Sequence, residues 1–127
     1  MERLKRNTLA LAALCLCFGL TACRSPFVQT SIVNHTGRSV SLIEVDYPDA
    51  SFGTQQIASN ETYHYRFQIQ ESGQVKISYT GADNKVYKST GPKVEKNQEG
   101  PLVITLEPNG KIIWTPSLDM AKTIFGW

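Results

Sequence analysis

Residues 62–80 read TYHYRFQIQESGQVKISYT, and this stretch decides the fold class. From Tyr63 to Ile69 every second residue is aromatic or aliphatic, whereas the residues between them are polar. Successive side chains of a β-strand point to opposite faces, so this alternation predicts a strand with one buried face. A Glu-Ser-Gly turn follows, and the alternation resumes from Gln74 to Thr80. The two runs together predict an antiparallel hairpin.

Weaker alternating patterns flank this stretch, with turn residues between them. Residues 34–37 (Asn-His-Thr-Gly) and 81–84 (Gly-Ala-Asp-Asn) are typical turn sequences. Asn109-Gly110 is a strong hairpin signal, because a two-residue hairpin turn favours residues that accept positive φ. We predict a long loop over residues 91–100 and one or two helical turns over residues 117–125. The other predicted strands cover residues 27–33, 39–47, 52–57 (a short edge strand), 85–89, 101–107 and 111–115.

About seven short strands, with no helix long enough for a βαβ crossover, predict an all-β domain. We expect an immunoglobulin-like antiparallel β-sandwich. The expectation rests on strand number, because no cysteine pair flanks Trp114. A domain of roughly 100 residues buries about two thirds of its unfolded surface, which is enough for a core without disulfides. The predicted core comprises Tyr63, Tyr65, Phe67, Val75, Ile77, Tyr79, Leu102, Ile104, Leu106, Ile112 and Trp114.

The start of the chain has the order of an export signal. Arg3, Lys5 and Arg6 precede an apolar run over residues 9–20, and small residues follow. Basic, apolar and small residues in this order are typical of a secretory signal peptide. A transmembrane helix needs roughly 20 apolar residues, and this run is shorter. We therefore expect the segment to be cleaved rather than to remain as a span.

Leu20-Thr21-Ala22-Cys23 ends the export signal. The tetrapeptide resembles the lipobox of bacterial lipoproteins, which directs lipoprotein signal peptidase to the bond before the cysteine. The resemblance covers residues 1–23 only and implies cleavage between Ala22 and Cys23, with acyl chains on the Cys23 sulfur. The alternative is an ordinary signal peptide in which Cys23 is incidental. The expected organisation is a signal peptide (1–22), a lipidated cysteine with a short tether (23–26) and a β-sandwich domain (27–127).

A lipid anchor would place the domain beside a membrane. Two or more acyl chains hold a protein durably, whereas one chain binds only marginally. Arg24, Ser25 and Pro26 alone separate Cys23 from the first predicted strand, so the tether reaches roughly 10–15 Å. In enterobacterial lipoproteins an aspartate after the cysteine retains the protein in the inner membrane. With Arg24 there, the resemblance implies the outer membrane, facing the periplasm.

Cysteine and charge distribution exclude several classes of function. Cys15, Cys17 and Cys23 are the three cysteines, so residues 24–127 can form no disulfide and offer no cysteine nucleophile or thiolate metal ligand. Of the 13 basic and 11 acidic residues, three basic and one acidic lie in residues 1–22, which leaves 10 of each sign. A neutral mature domain gives no electrostatic footprint for nucleic acid.

Catalytic and metal-binding patterns are weak. His35 and His64 are the two possible imidazole bases, and neither lies in a recognisable motif. Glu44, Asp46 and Asp49 form an acidic cluster that could bind calcium or provide paired carboxylates, but no glycine-spaced calcium loop surrounds them. We therefore predict no catalytic residue, no metal site and no cofactor.

Three aromatic residues are candidates for partner binding. Tyr47 and Phe52 lie in the segment YPDASFG (47–53), where an exposed loop on a rigid sandwich could bind a partner. Trp127 ends the apolar tail IFGW, which could contact a partner or the lipid surface. The alternatives are that Phe52 closes the core from an edge strand and that the tail packs on the sandwich.

The leading functional hypothesis is a non-enzymatic, membrane-anchored envelope lipoprotein that binds an envelope protein or a cell-wall glycan. The first alternative is a small metal-dependent or hydrolytic periplasmic enzyme that uses the two histidines and the acidic cluster. The second alternative is a small-ligand carrier with a cavity between its sheets.

Overall fold

Two β-sheets packed face to face make up residues 26–121, the part of the chain that the computed structural model describes. No helix in this part is long and apolar enough to cross a membrane. The strands are β1 (Val28–Asn34), β2 (Val40–Tyr47), β3 (Ala50–Ile57), β4 (Thr62–Phe67), β5 (Gly73–Thr80), β6 (Val86–Val94), β7 (Gln98–Leu106), β8 (Ile112–Pro116) and β9 (Asp119–Met120).

The first sheet has the order β4-β1-β7-β8, with β9 also paired to β7, and the second sheet has the order β3-β2-β5-β6. The arrangement confirms the predicted all-β, immunoglobulin-like sandwich. Residues 26–121 contain nine strands rather than about seven. The pairing is antiparallel except between β1 and β7, which run parallel.

The predicted hairpin between residues 62–70 and 74–80 is wrong. β4 pairs with β1 in the first sheet, whereas β5 pairs with β2 and β6 in the second sheet. The connection over residues 68–72 therefore crosses between the sheets. Alternation specifies which face of a strand is buried, but it carries no information about the neighbouring strand.

Two further predictions at the chain's C-terminal half are corrected. The long loop over residues 91–100 is mostly strand, because β6 continues to Val94 and β7 begins at Gln98. Pro92 is tolerated because β6 is an edge strand, where a proline removes no ladder hydrogen bond. Asp119 and Met120 form a strand on β7 instead of the predicted helical turn. Residues 122–127 lie outside the described residues.

The other predicted turns are confirmed. β5 and β6 form a hairpin through residues 81–85, in which the Gly81 amide donates to the Lys85 carbonyl. β7 and β8 form a hairpin through Asn109 and Gly110, with φ values of 65° and 78°. The predicted edge position of residues 52–57 is also confirmed, since β3 ends the second sheet.

The core lies between the two sheets, and most of the predicted core residues belong to it. Tyr63, Ile112 and Trp114 are half-buried and pack against it. Tyr65 is the exception: it is 38% exposed, because its ring stacks over the buried Phe52 at the margin of the core, at a centroid distance of 4.0 Å. The buried apolar residues are Val28, Ile32, Val40, Ile43, Val45, Phe52, Ile57, Phe67, Ile69, Val75, Ile77, Tyr79, Val94, Leu102, Ile104 and Leu106.

A β-bulge in β2 reconciles its sequence with this core. Val40 and Ile43 are both buried although three positions separate them, which a regular strand cannot achieve. The register against β5 shifts between Ser41 and Glu44, and the bulge leaves Leu42 60% exposed at φ 51°. A leucine with positive φ is uncommon, so this bulge is locally strained.

Thr30 is a buried residue whose hydroxyl has no hydrogen-bond partner among residues 26–121. A buried hydroxyl without a partner is destabilising because it loses its hydrogen bonds to water. We expect Thr30→Val, which keeps the branched shape, to raise the free energy of unfolding by about 1 kcal/mol. Urea unfolding followed by tryptophan fluorescence measures the change. An unchanged or lower midpoint would contradict the expectation.

Candidate functional site

Four connections meet at one end of the sandwich. β1 begins at Val28 and ends at Asn34, and we call the end near Asn34 the distal end and the end near Val28 the proximal end. β7 runs parallel to β1, whereas β4 runs antiparallel to β1, and β5 runs antiparallel to both β2 and β6. The distal connections therefore comprise residues 35–39, 58–61, 81–85 and 107–111.

Asn34 holds two of these distal connections together from the inside. Its side chain is fully buried, and its amide nitrogen donates to the carbonyls of Arg38, Ile57 and Ala58 at 2.7, 3.0 and 3.2 Å. Its amide oxygen accepts hydrogen bonds from the backbone nitrogen and the hydroxyl of Thr36. Asn34-His35-Thr36 matches the N-glycosylation acceptor pattern, but its buried amide is instead a structural group.

A cleft of about 240 Å³ opens between these connections. Arg38 reaches it from the β1–β2 connection, Asp83 from the β5–β6 turn, and Glu107 from the start of the β7–β8 turn. The cleft is open to solvent, and one basic and two acidic residues are among those that line it. Charged groups on loops above a rigid sandwich are suited to binding a polar ligand.

Tyr87 forms a fixed wall of the cleft. A Cβ atom on Gly81 would lie 2.9 Å from the Tyr87 ring, and one on Gly110 would lie 2.4 Å from it, so only glycines allow the ring to fit between the two turns. Tyr79 stacks against the same ring at a centroid distance of 5.3 Å. The Tyr87 ring is therefore a packed structural element of the cleft.

The carboxylate of Asp83 is held by two donors. The Tyr87 hydroxyl donates to Asp83 Oδ2 at 2.5 Å, and the Lys85 amide donates to Oδ1 at 3.0 Å. The Tyr87 hydrogen bond, followed by that of Lys85, lowers the pKa of the Asp83 carboxyl below its ordinary value. The same hydrogen bond raises the pKa of Tyr87. Asp83 is thus an ionised wall group whose oxygens are already engaged.

Arg38 and Glu107 are the charged residues of the cleft whose side chains make no hydrogen bond within residues 26–121. The Arg38 guanidinium makes no ion pair or hydrogen bond within residues 26–121. Arg38 supports the β1–β2 connection through its backbone carbonyl, which accepts hydrogen bonds from the Asn34 side-chain amide and the Thr36 hydroxyl. Glu107 Oε1 lies 3.8 Å from His35 Nδ1, which places one predicted histidine at the rim of the cleft.

Tyr47 and Phe52 lie away from the cleft, at the proximal end. Phe52 is 7% exposed and stacks on Tyr65 at 4.0 Å, and the half-buried Tyr47 stacks on Phe67 at 4.2 Å. They belong to an aromatic cluster that joins β2 and β3 of the second sheet to β4, an edge strand of the first sheet. The predicted loop position is wrong for both, because Tyr47 is the last residue of β2 and Phe52 lies within β3. Ala22, Cys23 and Trp127 lie outside the described residues.

His64 has a neighbour that sequence reasoning missed. Its Nδ1 lies 3.1 Å from Ser31 Oγ, because β1 and β4 place the two residues directly opposite each other. Both are on the outer face of the first sheet. A serine–histidine pair needs an acid to orient the imidazole, and no carboxylate contacts His64 within residues 26–121.

Glu44 and Asp46 share the exposed face of β2, whereas Asp49 lies in the following turn. Within residues 26–121 no group of three His, Cys, Asp or Glu side chains is arranged to hold a metal ion. A hydrogen bond that the protonated Glu44 carboxyl donates to the Asp46 carboxylate, followed by the negative charge of Asp46, raises the pKa of the Glu44 carboxyl. The two carboxylates therefore repel each other when both are ionised.

We expect Glu44→Gln to stabilise the protein at neutral pH. Because folding raises the pKa of Glu44, the wild-type protein loses stability as pH rises through that folded-state value, and a glutamine does not titrate. Below the ordinary carboxyl value of 4.5 the advantage should vanish. Thermal unfolding at several pH values measures this difference. A matched Glu71→Gln change on the exposed turn after β4 is the control, and an equal effect of both changes would contradict the explanation.

Comparison of the whole chain with protein-family models, curated proteins and solved structures finds no match. The functional assignment therefore depends on the residues of this chain and their geometry.

Proposed function

We propose that this protein is a non-enzymatic envelope lipoprotein, anchored through Cys23, that binds another envelope component with its distal end. The observation that carries the proposal is the position of β1, which begins at Val28, five residues after the lipobox cysteine. The membrane would then lie at the proximal end. Arg24 after the cysteine favours the outer membrane with the domain facing the periplasm.

This orientation gives the two ends of the sandwich different surroundings. β1 has seven residues at about 3.3 Å each, so the distal connections stand roughly 20 Å further from the lipid than its start. A short tether prevents the domain from searching far along the membrane normal. The distal end is then the part best placed to meet a protein or a cell-wall glycan opposite the membrane.

The cleft also favours binding over catalysis. It combines charged side chains with a Tyr87 wall fixed by glycine turns, but a nucleophile with a positioned base does not line it. The Ser31–His64 hydrogen bond is the observation that favours a hydrolase, and it lies on an exposed sheet face. We expect Ser31→Ala with His64→Ala to leave the phenotype of the cells unchanged, and a phenotype equal to gene deletion would favour the enzyme.

Site-specific crosslinking in cells tests the binding proposal. A photoreactive residue at Ala82 or Asn109, both in distal turns beside the cleft, should capture one reproducible envelope component. A photoreactive residue at Lys88, on the outer face of the second sheet, is the matched control and should not capture that component. No capture from the two distal positions, or identical capture from all three, would contradict a distal binding surface.

A further inference from the structure

We propose that the distal cleft binds a zwitterionic ligand, an α-amino acid whose ammonium and carboxylate groups are both free, either alone or joined to a larger molecule through its side chain. Arg38 would bind its carboxylate, and Glu107 would bind its ammonium group. The inference deepens the proposed function, since it names the chemical class of the component that the distal end meets.

The charge arrangement of the cleft carries this inference. The guanidinium of Arg38 is planar and presents parallel N–H donors, which match a carboxylate in a bidentate geometry. Glu107 offers a carboxylate from another connection, and the two residues form no ion pair with each other within residues 26–121. Because both line one cleft of about 240 Å³, a single small ligand can contact both.

The remaining walls disfavour other ligand classes. A sugar ring usually needs an exposed aromatic face, whereas the Tyr87 ring is half-buried, with Gly81, Gly110 and Tyr79 against it, and its hydroxyl is bonded to Asp83. Pockets for drug-sized ligands measure roughly 300–1,000 Å³, so this smaller open cleft suits a single amino-acid group. The ionised Asp83 adds negative charge, which disfavours a ligand that carries only carboxylates.

Nuclear magnetic resonance titration of the full mature protein in detergent micelles tests the inference. The probes are L-alanine, N-acetyl-L-alanine, which lacks the ammonium group, and L-alaninamide, which lacks the carboxylate. L-alanine should shift the amide signals of Gly81 and Gly110 and the guanidinium signal of Arg38. The two blocked probes should bind at least about tenfold more weakly, because each loses one charge-assisted contact.

Two variants assign the roles of the charged residues. Arg38→Gln should abolish the preference for L-alanine over L-alaninamide, and Glu107→Gln should abolish the preference over N-acetyl-L-alanine. The matched controls Lys88→Gln and Glu61→Gln change the same charges away from the cleft lining and should preserve both preferences. Since Arg38 supports its loop through backbone atoms, Arg38→Gln should also keep the wild-type melting temperature.

Equal binding of the three probes, shifts outside the cleft only, or unchanged preferences in both variants would overturn the inference. The titration uses purified protein and does not depend on where the protein resides in the cell. A negative titration with a positive distal crosslink would therefore reject the ligand class while the proposed function stands. A positive titration with no distal crosslink would reject the proposed envelope partner instead.

Discussion

Asn34→Asp is expected to lower the free energy of unfolding by about 3–5 kcal/mol at neutral pH. The change keeps the shape of the side chain but replaces an amide group that donates to three carbonyl oxygens. An aspartate would place a carboxylate oxygen, instead of an N–H donor, against those three carbonyl oxygens, and the site is fully buried. The distal connections that Asn34 joins should loosen first, and hydrogen exchange of their amides would show it.

The sign of the pH dependence distinguishes this mechanism from a general packing defect. Burial and the facing carbonyls should raise the carboxyl pKa of the new aspartate, so the variant should regain stability relative to wild type as pH falls. Asn60→Asp, in an exposed turn of the same distal end, is the matched control and should change stability by less than about 0.5 kcal/mol. A loss of stability at Asn34 that does not depend on pH would contradict the explanation.

Gly53→Ala should lower the free energy of unfolding by about 3 kcal/mol. A Cβ atom at Gly53 would lie 2.1 Å from the Ile43 carbonyl oxygen, and a backbone atom cannot move aside as a flexible side chain can. The close approach occurs beside the β2 bulge, so the substitution should separate β3 from β2. Tyr63, whose hydroxyl donates to the Gly53 carbonyl, should become more mobile.

Urea unfolding with a matched Ser51→Ala variant measures the effect of Gly53→Ala. Ser51 lies on the same edge strand and is exposed, so its replacement should change stability by less than about 0.5 kcal/mol. Similar stability losses for the two variants would show that β3 is simply intolerant of substitution. A near-neutral Gly53→Ala would show that the β2 bulge adjusts.

The strands were predictable from the sequence because alternation reports which face of a strand is buried. For this reason the strands predicted over residues 62–70 and 74–80 correspond to β4 and β5, although β4 ends at Phe67 and β5 begins at Gly73. Their partners were not predictable, since the same alternation fits a hairpin and a crossover between sheets. The β2 bulge was also hidden, because Leu42 fits an apolar run and only the register against β5 reveals its exposure.

The cleft could be predicted only in its parts. The turns that contain Gly81 and Gly110 were evident from turn chemistry, but Tyr87 between them depends on the packing of β6 against β8. Arg38 and Glu107 are far apart in sequence and line the same cleft because β1 and β7 run parallel and end together. No local pattern encodes that juxtaposition. The segment with Tyr47 and Phe52 was a candidate only because it contains two aromatic residues beside a turn sequence.

The most direct test of the account is mass spectrometry of the N-terminal peptide of the native protein isolated from membranes. We expect a chain that begins at Cys23, with a diacylglyceryl group on its sulfur. A chain that begins at Cys23 or later with an unmodified thiol, or one that retains residues 1–22, would contradict the membrane anchor and the orientation built on it.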